Sequence, residues 1–90
     1  MLKGKNAVLT GCQKGIGKKT LELFASHGSN VWACAQFPDD TFDTLCKQLA
    51  EQNGVWIKPI YFDFLDSEAV KKGLQVIYAD KYPVHILANI

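Results

Sequence analysis

Residues 10–17 read Thr-Gly-Cys-Gln-Lys-Gly-Ile-Gly, and this glycine-rich stretch decides the fold. It follows a short apolar run at residues 7–9 and precedes an amphipathic helical pattern. A glycine turn between a buried strand and a helix directs backbone N–H groups and the positive end of the helix at a phosphate. The stretch therefore predicts a turn that binds the pyrophosphate of a dinucleotide, against the alternative of an ordinary strand-turn-helix corner.

The composition indicates a globular protein of one domain. The 90 residues are 48% hydrophobic and 21% charged, enough for a modest core. A net charge of +1 without a basic stripe argues against nucleic-acid binding. The longest apolar runs are far shorter than the roughly 20 residues that span a bilayer, so no membrane segment is expected. Three cysteines without a Cys-x-x-Cys pair argue against a disulfide framework or a metal site, and they favour a cytoplasmic location.

Strand and helix patterns alternate along the chain with short connections. Apolar runs predict strands at residues 7–10, 31–35, 55–62 and 84–88. Apolar residues at helical spacing predict helices between them, as at Phe42, Leu45 and Leu49. The order βαβαβαβ predicts an α/β fold. We expect a partial Rossmann-type doubly wound parallel sheet with right-handed crossovers and the strand order 3-2-1-4.

Single residues add detail to this arrangement. Gly28 is expected to end the first helix in the left-handed conformation of a C-cap. Pro59 lacks a backbone donor, which suits an edge strand, and Ser67 is placed to cap the third helix. Gly73 is expected to weaken that helix by roughly 1 kcal/mol relative to alanine. Cys12 lies beside a helix N-terminus, which favours a lowered thiol pKa, but the lack of a nearby base favours a small turn residue.

Three segments carry a more specific pattern. The motif Thr-Gly-x-x-x-Gly-x-Gly is complete at Thr10, Gly11, Gly15 and Gly17. Asp63 and Phe64 follow the third predicted strand, and residues 86–89 read Ile-Leu-Ala-Asn. In these segments the chain resembles the short-chain dehydrogenases/reductases, whose fourth strand leads into Asn-Asn-Ala-Gly. The 3-oxoacyl-acyl-carrier-protein reductases look most similar, and the resemblance covers the whole chain but only the N-terminal part of a family member.

The resemblance implies a nicotinamide cofactor and hydride transfer between it and a carbonyl or alcohol carbon. It implies cofactor contacts at Gly11, Gln13, Lys14, Gly15, Ile16, Gly17, Gln36, Asp63, Phe64 and Asn89. Gly11 lets the backbone approach the ligand, N–H groups around Gly15 face the pyrophosphate, and Gly17 lets the helix pack closely against the first strand. Asp63 is implied to lie near the adenine amino group, and Asn89 beside the cofactor. Helix capping or turn chemistry would suit Asp63 equally well.

The choice between NAD and NADP depends on the end of the second strand. An acidic residue about 20 positions after the glycine motif binds the ribose 2′-hydroxyl of NAD, whereas basic groups accommodate the 2′-phosphate of NADP. Residues 35–37 are Ala-Gln-Phe, without a carboxylate. Lys14 can reach a 2′-phosphate, as in similar NADP-dependent members, or it is a solvated loop lysine. Asp39 and Asp40 come late but can fold back, so the sequence favours NADP and leaves NAD as the alternative.

No residue of this chain is predicted to be catalytic. The family uses a tyrosine with a lysine four residues later, and Tyr61, Tyr78 and Tyr82 all lack that lysine. We therefore expect residues 1–90 to be a single N-terminal dinucleotide-binding portion that is truncated in or after the fourth strand. A small-molecule carbonyl substrate is expected to bind only when a C-terminal part is also present. The alternative is a module that binds nucleotide, or pairs through its open sheet edge, without catalysis. Neither the substrate nor a homo-oligomeric state follows from the sequence.

Overall fold

Within residues 2–89, the part of the chain that the computed structural model describes, four strands alternate with three helices. The strands are β1 (Asn6–Leu9), β2 (Asn30–Ala35), β3 (Ile57–Tyr61) and β4 (Ile86–Ala88). The helices are α1 (Gly15–Ser26), α2 (Asp40–Asn53) and α3 (Ser67–Ala79). Every predicted element is present, and β3 and β4 are shorter than the apolar runs that predicted them.

The strands form one parallel sheet in the order β3-β2-β1-β4. β1 is an inner strand, and its Val8 pairs with Trp32 on one side and Leu87 on the other. β3 is an edge strand, where Pro59 faces Ala33 of β2. Because proline has no N–H to donate, it is tolerated at an edge. The doubly wound order and the edge position of Pro59 are both confirmed.

The sheet has a buried core on each face, which explains why β2 is apolar from Val31 to Ala35. Side chains of a strand point alternately to opposite faces. Val31, Ala33 and Ala35 therefore lie in the cluster that also contains residues of α1 and α2. Trp32 and Cys34 lie in the other cluster, with Ile77 of α3. A strand covered on both faces needs a continuous apolar run rather than an alternating one.

The helix ends follow from local chemistry, with one correction. Gly28 has a φ of 89°, the left-handed conformation that was predicted just after α1. The prediction that Ser67 caps α3 is wrong. The carboxylate of Asp66 accepts hydrogen bonds from the backbone N–H groups of Glu68 at 3.0 Å and Ala69 at 3.3 Å. Ser67 is the first helical residue, one position too late to cap.

Gly73 packs α3 against the sheet. A Cβ atom at this position would lie 2.5 Å from Cδ1 of the Phe62 ring. The ring of Phe62 is itself held against the ring of Phe64, with centroids 4.6 Å apart. The low helix propensity of glycine is therefore offset by a close approach that a larger residue does not allow.

A polar contact under an aromatic surface ties the end of α3 to the sheet. The buried indole of Trp32 donates a hydrogen bond to the carboxylate of Asp80 at 2.8 Å. The ammonium of Lys58 lies 3.1 Å from the same carboxylate and 5.2 Å from the centroid of Trp56. The Trp32 hydrogen bond, followed by Lys58, lowers the pKa of Asp80 below its usual range.

Hydrogen bonds at the beginnings of the two strands join β4 to β1. The backbone N–H of Asn6 donates to Nδ1 of His85 at 2.9 Å, and the backbone N–H of His85 donates to the carbonyl of Asn6 at 2.9 Å. The side chain of Asn6 also donates to the carbonyl of Pro83 at 3.0 Å. Across residues 2–89, no helix has the length and apolar character needed to cross a membrane.

Candidate cofactor site

The turn between β1 and α1 has a backbone shape that requires glycine. Gly11 has a φ of 65° and Gly15 a φ of 62°, both in the left-handed region. A Cβ on Gly15 would meet no atom within 4 Å, so the backbone angle rather than lack of space selects glycine there. These two residues let the chain fold back at the carboxyl end of β1 and enter the helix.

Gly17 is selected by space. A Cβ at this position would overlap the carbonyl oxygen of Gly11, and it would lie 3.3 Å from the Cα atom of Cys12. The first turn of α1 therefore packs directly on the glycine turn. The predicted close approach is present, but its partner is the turn itself rather than β1.

The N-terminus of α1 is electrostatically suited to an anion. The first N–H groups of a helix have no partner within the helix, and they form the positive end of its dipole. Lys14 precedes the helix in an extended conformation and makes no side-chain capping bond, and the first turn of α1 contains no acidic residue. Ile16 is 77% exposed, so this end of the helix is open to a ligand.

Cys12 is a structural residue of the turn. It is fully buried, its thiol donates to the carbonyl of Leu9 at 3.3 Å, and its N–H donates to the carbonyl of Cys34 at 3.3 Å. Burial, followed by the proximity of Cys34 and Cys46, raises the pKa of Cys12 to about 12. The expectation of a lowered thiol pKa at the helix N-terminus is therefore wrong, because desolvation by burial has the largest effect on the pKa of this thiol. The small turn residue is the correct interpretation.

A cleft of about 180 Å³ opens beside the turn at the carboxyl ends of β1, β2 and β3. It is lined by Gly11, Gln13, Lys14, Ala35, Gln36 and Phe64. Five of these residues were singled out from the sequence. Ala35 was missed, and its position as the last residue of β2 is the signal that identifies it. Parallel α/β sheets bind ligands at this end of their strands.

The rim of the cleft joins the ends of β2 and β3. The carboxamide of Gln36 donates to Oδ1 of Asp63 at 3.4 Å, and the backbone N–H of Leu65 donates to the same oxygen at 2.9 Å. Oδ1 of Asp63 therefore stabilises the turn after β3 by accepting a backbone hydrogen bond, which is the alternative role that the sequence left open beside adenine binding. Phe64 follows directly, and its ring is 40% exposed toward the cleft and a neighbouring apolar groove.

One predicted contact residue, Asn89, lies further along the sheet edge. Asn89 follows β4, and its Oδ1 accepts a hydrogen bond from the hydroxyl of Thr10 at 2.8 Å. The backbone N–H of Thr10 donates to the carbonyl of Ala88 at 3.2 Å. These bonds place Asn89 beside the start of the glycine turn, but outside the lining of the 180 Å³ cleft. The position that would follow it, residue 90, lies outside the described residues.

Comparisons with known proteins agree with this geometry. A family model described as short chain dehydrogenase matches residues 5–90. A short chain dehydrogenase of Pseudocercospora fijiensis is 35% identical over 89 residues, which are 99% of this chain and 28% of that protein. The 3-oxoacyl-[acyl-carrier-protein] reductase of Thermotoga maritima is 28% identical over 88 residues, 98% of this chain and 35% of that protein.

A solved structure gives the same result in three dimensions. L-sorbose reductase from Gluconobacter frateurii, complexed with NADPH and L-sorbose, superimposes with a TM-score of 0.85 at 28% sequence identity. The match covers 96% of this chain and 32% of that one. The chain thus spans 28% to 35% of the length of these relatives.

Proposed function

This chain belongs to the short chain dehydrogenase family, and we propose that it binds the adenosine end of a nicotinamide cofactor, with NADP preferred over NAD. The observation that carries the proposal is the cleft lined by the glycine turn, the end of β2 and Phe64. Its glycine side adjoins the positive N-terminus of α1, which suits a pyrophosphate. Its other side offers an aromatic ring and aliphatic surface, which suit an adenine ring.

The preference for NADP is supported by the charges at this end of the sheet. Lys14 lines the cleft, and the residue that ends β2 is followed by Gln36 rather than by a carboxylate. The late carboxylates that would have favoured NAD belong to the start of α2. Asp39 accepts the backbone N–H of Thr41 at 2.9 Å and caps the helix, and Asp40 is the first helical residue. The relative from Gluconobacter frateurii was crystallised with NADPH.

For the reaction, we propose the chemistry of a carbonyl reductase, in which the bound nicotinamide supplies or accepts hydride. The residues of this chain contribute binding and orientation: the turn at Gly11 and Gly15 holds the pyrophosphate, Lys14 pairs with the 2′-phosphate, and Phe64 and Asp63 flank the adenine. The general acid/base and the groups that contact substrate are proposed to come from a region corresponding to the remainder of the relatives' length. The substrate is therefore a small carbonyl compound or alcohol of unspecified structure.

Titration of the chain with NADPH and NADH tests the cofactor proposal. We expect tighter binding of NADPH, and we expect Lys14→Ala to weaken NADPH about fivefold to tenfold more than NADH, since a charge-assisted contact is worth about 1.5–3 kcal/mol before exposure reduces it. Lys19→Ala is the matched control, because Lys19 lines a different cleft on α1. Equal losses for both cofactors, or the same loss in the control, would contradict the preference for NADP.

A second candidate is a binding module without catalysis. The edge strand β4, where Leu87 is 70% exposed, would serve such a module as a pairing surface. The coding sequence after codon 90 discriminates between the two: a serine and a Tyr-x-x-x-Lys downstream support the enzyme, and a stop codon supports the module.

A further inference from the structure

We propose that Gln13 is a positioning residue that sets the selectivity of the cofactor cleft for a 2′-phosphate, by holding the loop after β2 against the glycine turn. The inference rests on the proposed function, because it concerns the same cleft. It goes beyond that function because it gives Gln13, which the resemblance implied only as a cofactor contact, a role that acts through its neighbours.

The observation is a two-way hydrogen bond between a side chain and a distant backbone. Nε2 of Gln13 donates to the carbonyl of Phe37 at 2.6 Å, and the backbone N–H of Phe37 donates to Oε1 of Gln13 at 3.4 Å. The two residues are 24 positions apart in the chain. The carboxamide thus pairs with Phe37 much as a neighbouring strand would, using one donor and one acceptor.

Few side chains can make this pair. It needs a donor and an acceptor on one planar group at the end of two methylene units, a requirement that only glutamine meets. Leucine has a similar volume but no polar atom, and asparagine has the same carboxamide on a side chain shorter by one methylene. Substitution by leucine therefore tests the need for the polar group, and substitution by asparagine tests the need for the length of the side chain.

The pair fixes the distance across the mouth of the cleft. Gln13 immediately precedes Lys14, and Phe37 immediately follows Gln36. Lys14 and Gln36 both line the cleft, and the residue after the second strand is where the ribose 2′ substituent is recognised in this fold. By joining their neighbours, the Gln13 carboxamide holds Lys14 and Gln36 at the spacing that a 2′-phosphate would bridge.

Gln13 also separates two clefts. It lines the 180 Å³ cleft and, on its other side, a cleft of about 350 Å³ between α1 and α2 that includes Lys18 and Asp39. The Gln13–Phe37 pair thus adjoins both the cleft that would take the phosphate and the cleft that contains Asp39. Without the carboxamide, the loop at Phe37 loses both hydrogen bonds to the glycine turn.

Adenosine 2′,5′-bisphosphate and adenosine 5′-monophosphate are suitable probes, because they differ only in the 2′-phosphate and need no nicotinamide site. We expect the unmodified chain to bind the bisphosphate more tightly, and we expect Gln13→Leu and Gln13→Asn to reduce this selectivity about fivefold, the effect of about 1 kcal/mol. Affinity for the monophosphate should fall less than affinity for the bisphosphate in both variants. Gln48→Leu is the matched control, since Gln48 lines only the larger cleft.

Hydrogen exchange of the Phe37 amide gives a second readout that needs no ligand. Exchange should be faster in both Gln13 variants than in the unmodified chain and the Gln48 control. If exchange accelerates but selectivity between the two nucleotides is unchanged, the positioning role is refuted while the cofactor site stands. If the unmodified chain binds neither nucleotide, the proposed function itself is refuted, and the inference with it. Unchanged exchange would show that the pair does not hold the loop.

Discussion

Replacing Gly73 by alanine sets two opposing effects against each other. In the interior of a helix, alanine is favoured over glycine by about 1 kcal/mol. At this position, however, the new Cβ would lie 2.5 Å and 2.7 Å from two atoms of the Phe62 ring. Overpacking of a core costs about 1–3 kcal/mol. Phe62 is buried and packs on Phe64, and it also lines an apolar groove of about 190 Å³ into which its ring can shift. We therefore take an intermediate overpacking cost of about 2 kcal/mol, and we expect Gly73→Ala to lower the free energy of unfolding by about 1 kcal/mol.

Chemical denaturation and thermal melting measure this difference, and about 1 kcal/mol corresponds to a melting temperature lower by roughly 4–8 °C. Two controls separate the effects. Gln75 is exposed on the same helix, so the difference between Gln75→Ala and Gln75→Gly gives the propensity term alone. In a Phe62→Leu background, where the ring is absent, Gly73→Ala should stabilise the protein relative to Phe62→Leu alone. Stabilisation by Gly73→Ala in the unmodified chain would refute the packing argument.

Two further predictions concern burial and capping. Because burial raises the pKa of Cys12, Cys34 and Cys46 from 9.0 to about 12, the unfolded thiols ionise before the folded ones. The protonated, buried thiols therefore contribute fully to stability below pH 9, and this contribution is lost as the pH rises toward 12. Denaturation at pH 7.5 and 10.5 under reducing conditions should show a lower free energy of unfolding at the higher pH. Rapid labelling of the native thiols at pH 8 would contradict their burial. Asp66→Ala should lower the free energy of unfolding by about 1 kcal/mol because it removes the cap of α3. Ser67→Ala should change the melting curve little. Equal effects of the two substitutions would contradict the assignment of the cap to Asp66.

Much of the fold follows from local patterns. Alternating strand and helix signals, together with right-handed crossovers, leave few arrangements for four parallel strands, and the order β3-β2-β1-β4 is among them. The glycine turn was also predictable. Gly11 and Gly15 have positive φ angles, and such angles are a property of the local backbone that a sequence motif can encode.

The errors and omissions have a common physical origin, which is dependence on distant neighbours. Ser67 and Asp66 are both capable caps, and the choice depends on a helix boundary shifted by one residue. The pKa of the Cys12 thiol is raised mainly by burial, and burial cannot be deduced from the motif. The partner of Gly73 is Phe62, on another element, and the partner of Gln13 is 24 residues away. Such contacts form only when distant parts of the chain pack together in the folded protein.

The pairing of β4 with β1 has a consequence for synthesis of the chain on the ribosome. β1 can pair with β2 once residue 30 has emerged, but the bond from Asn6 to His85 joins residues 79 positions apart. At about 5–20 residues per second, several seconds of translation separate the two events. During that interval one side of β1, apolar from Ala7 to Leu9, carries unsatisfied backbone groups that are a template for pairing with other nascent chains. The time that the ribosome takes to translate the segment between β2 and β4 therefore sets how long this strand edge stays unpaired.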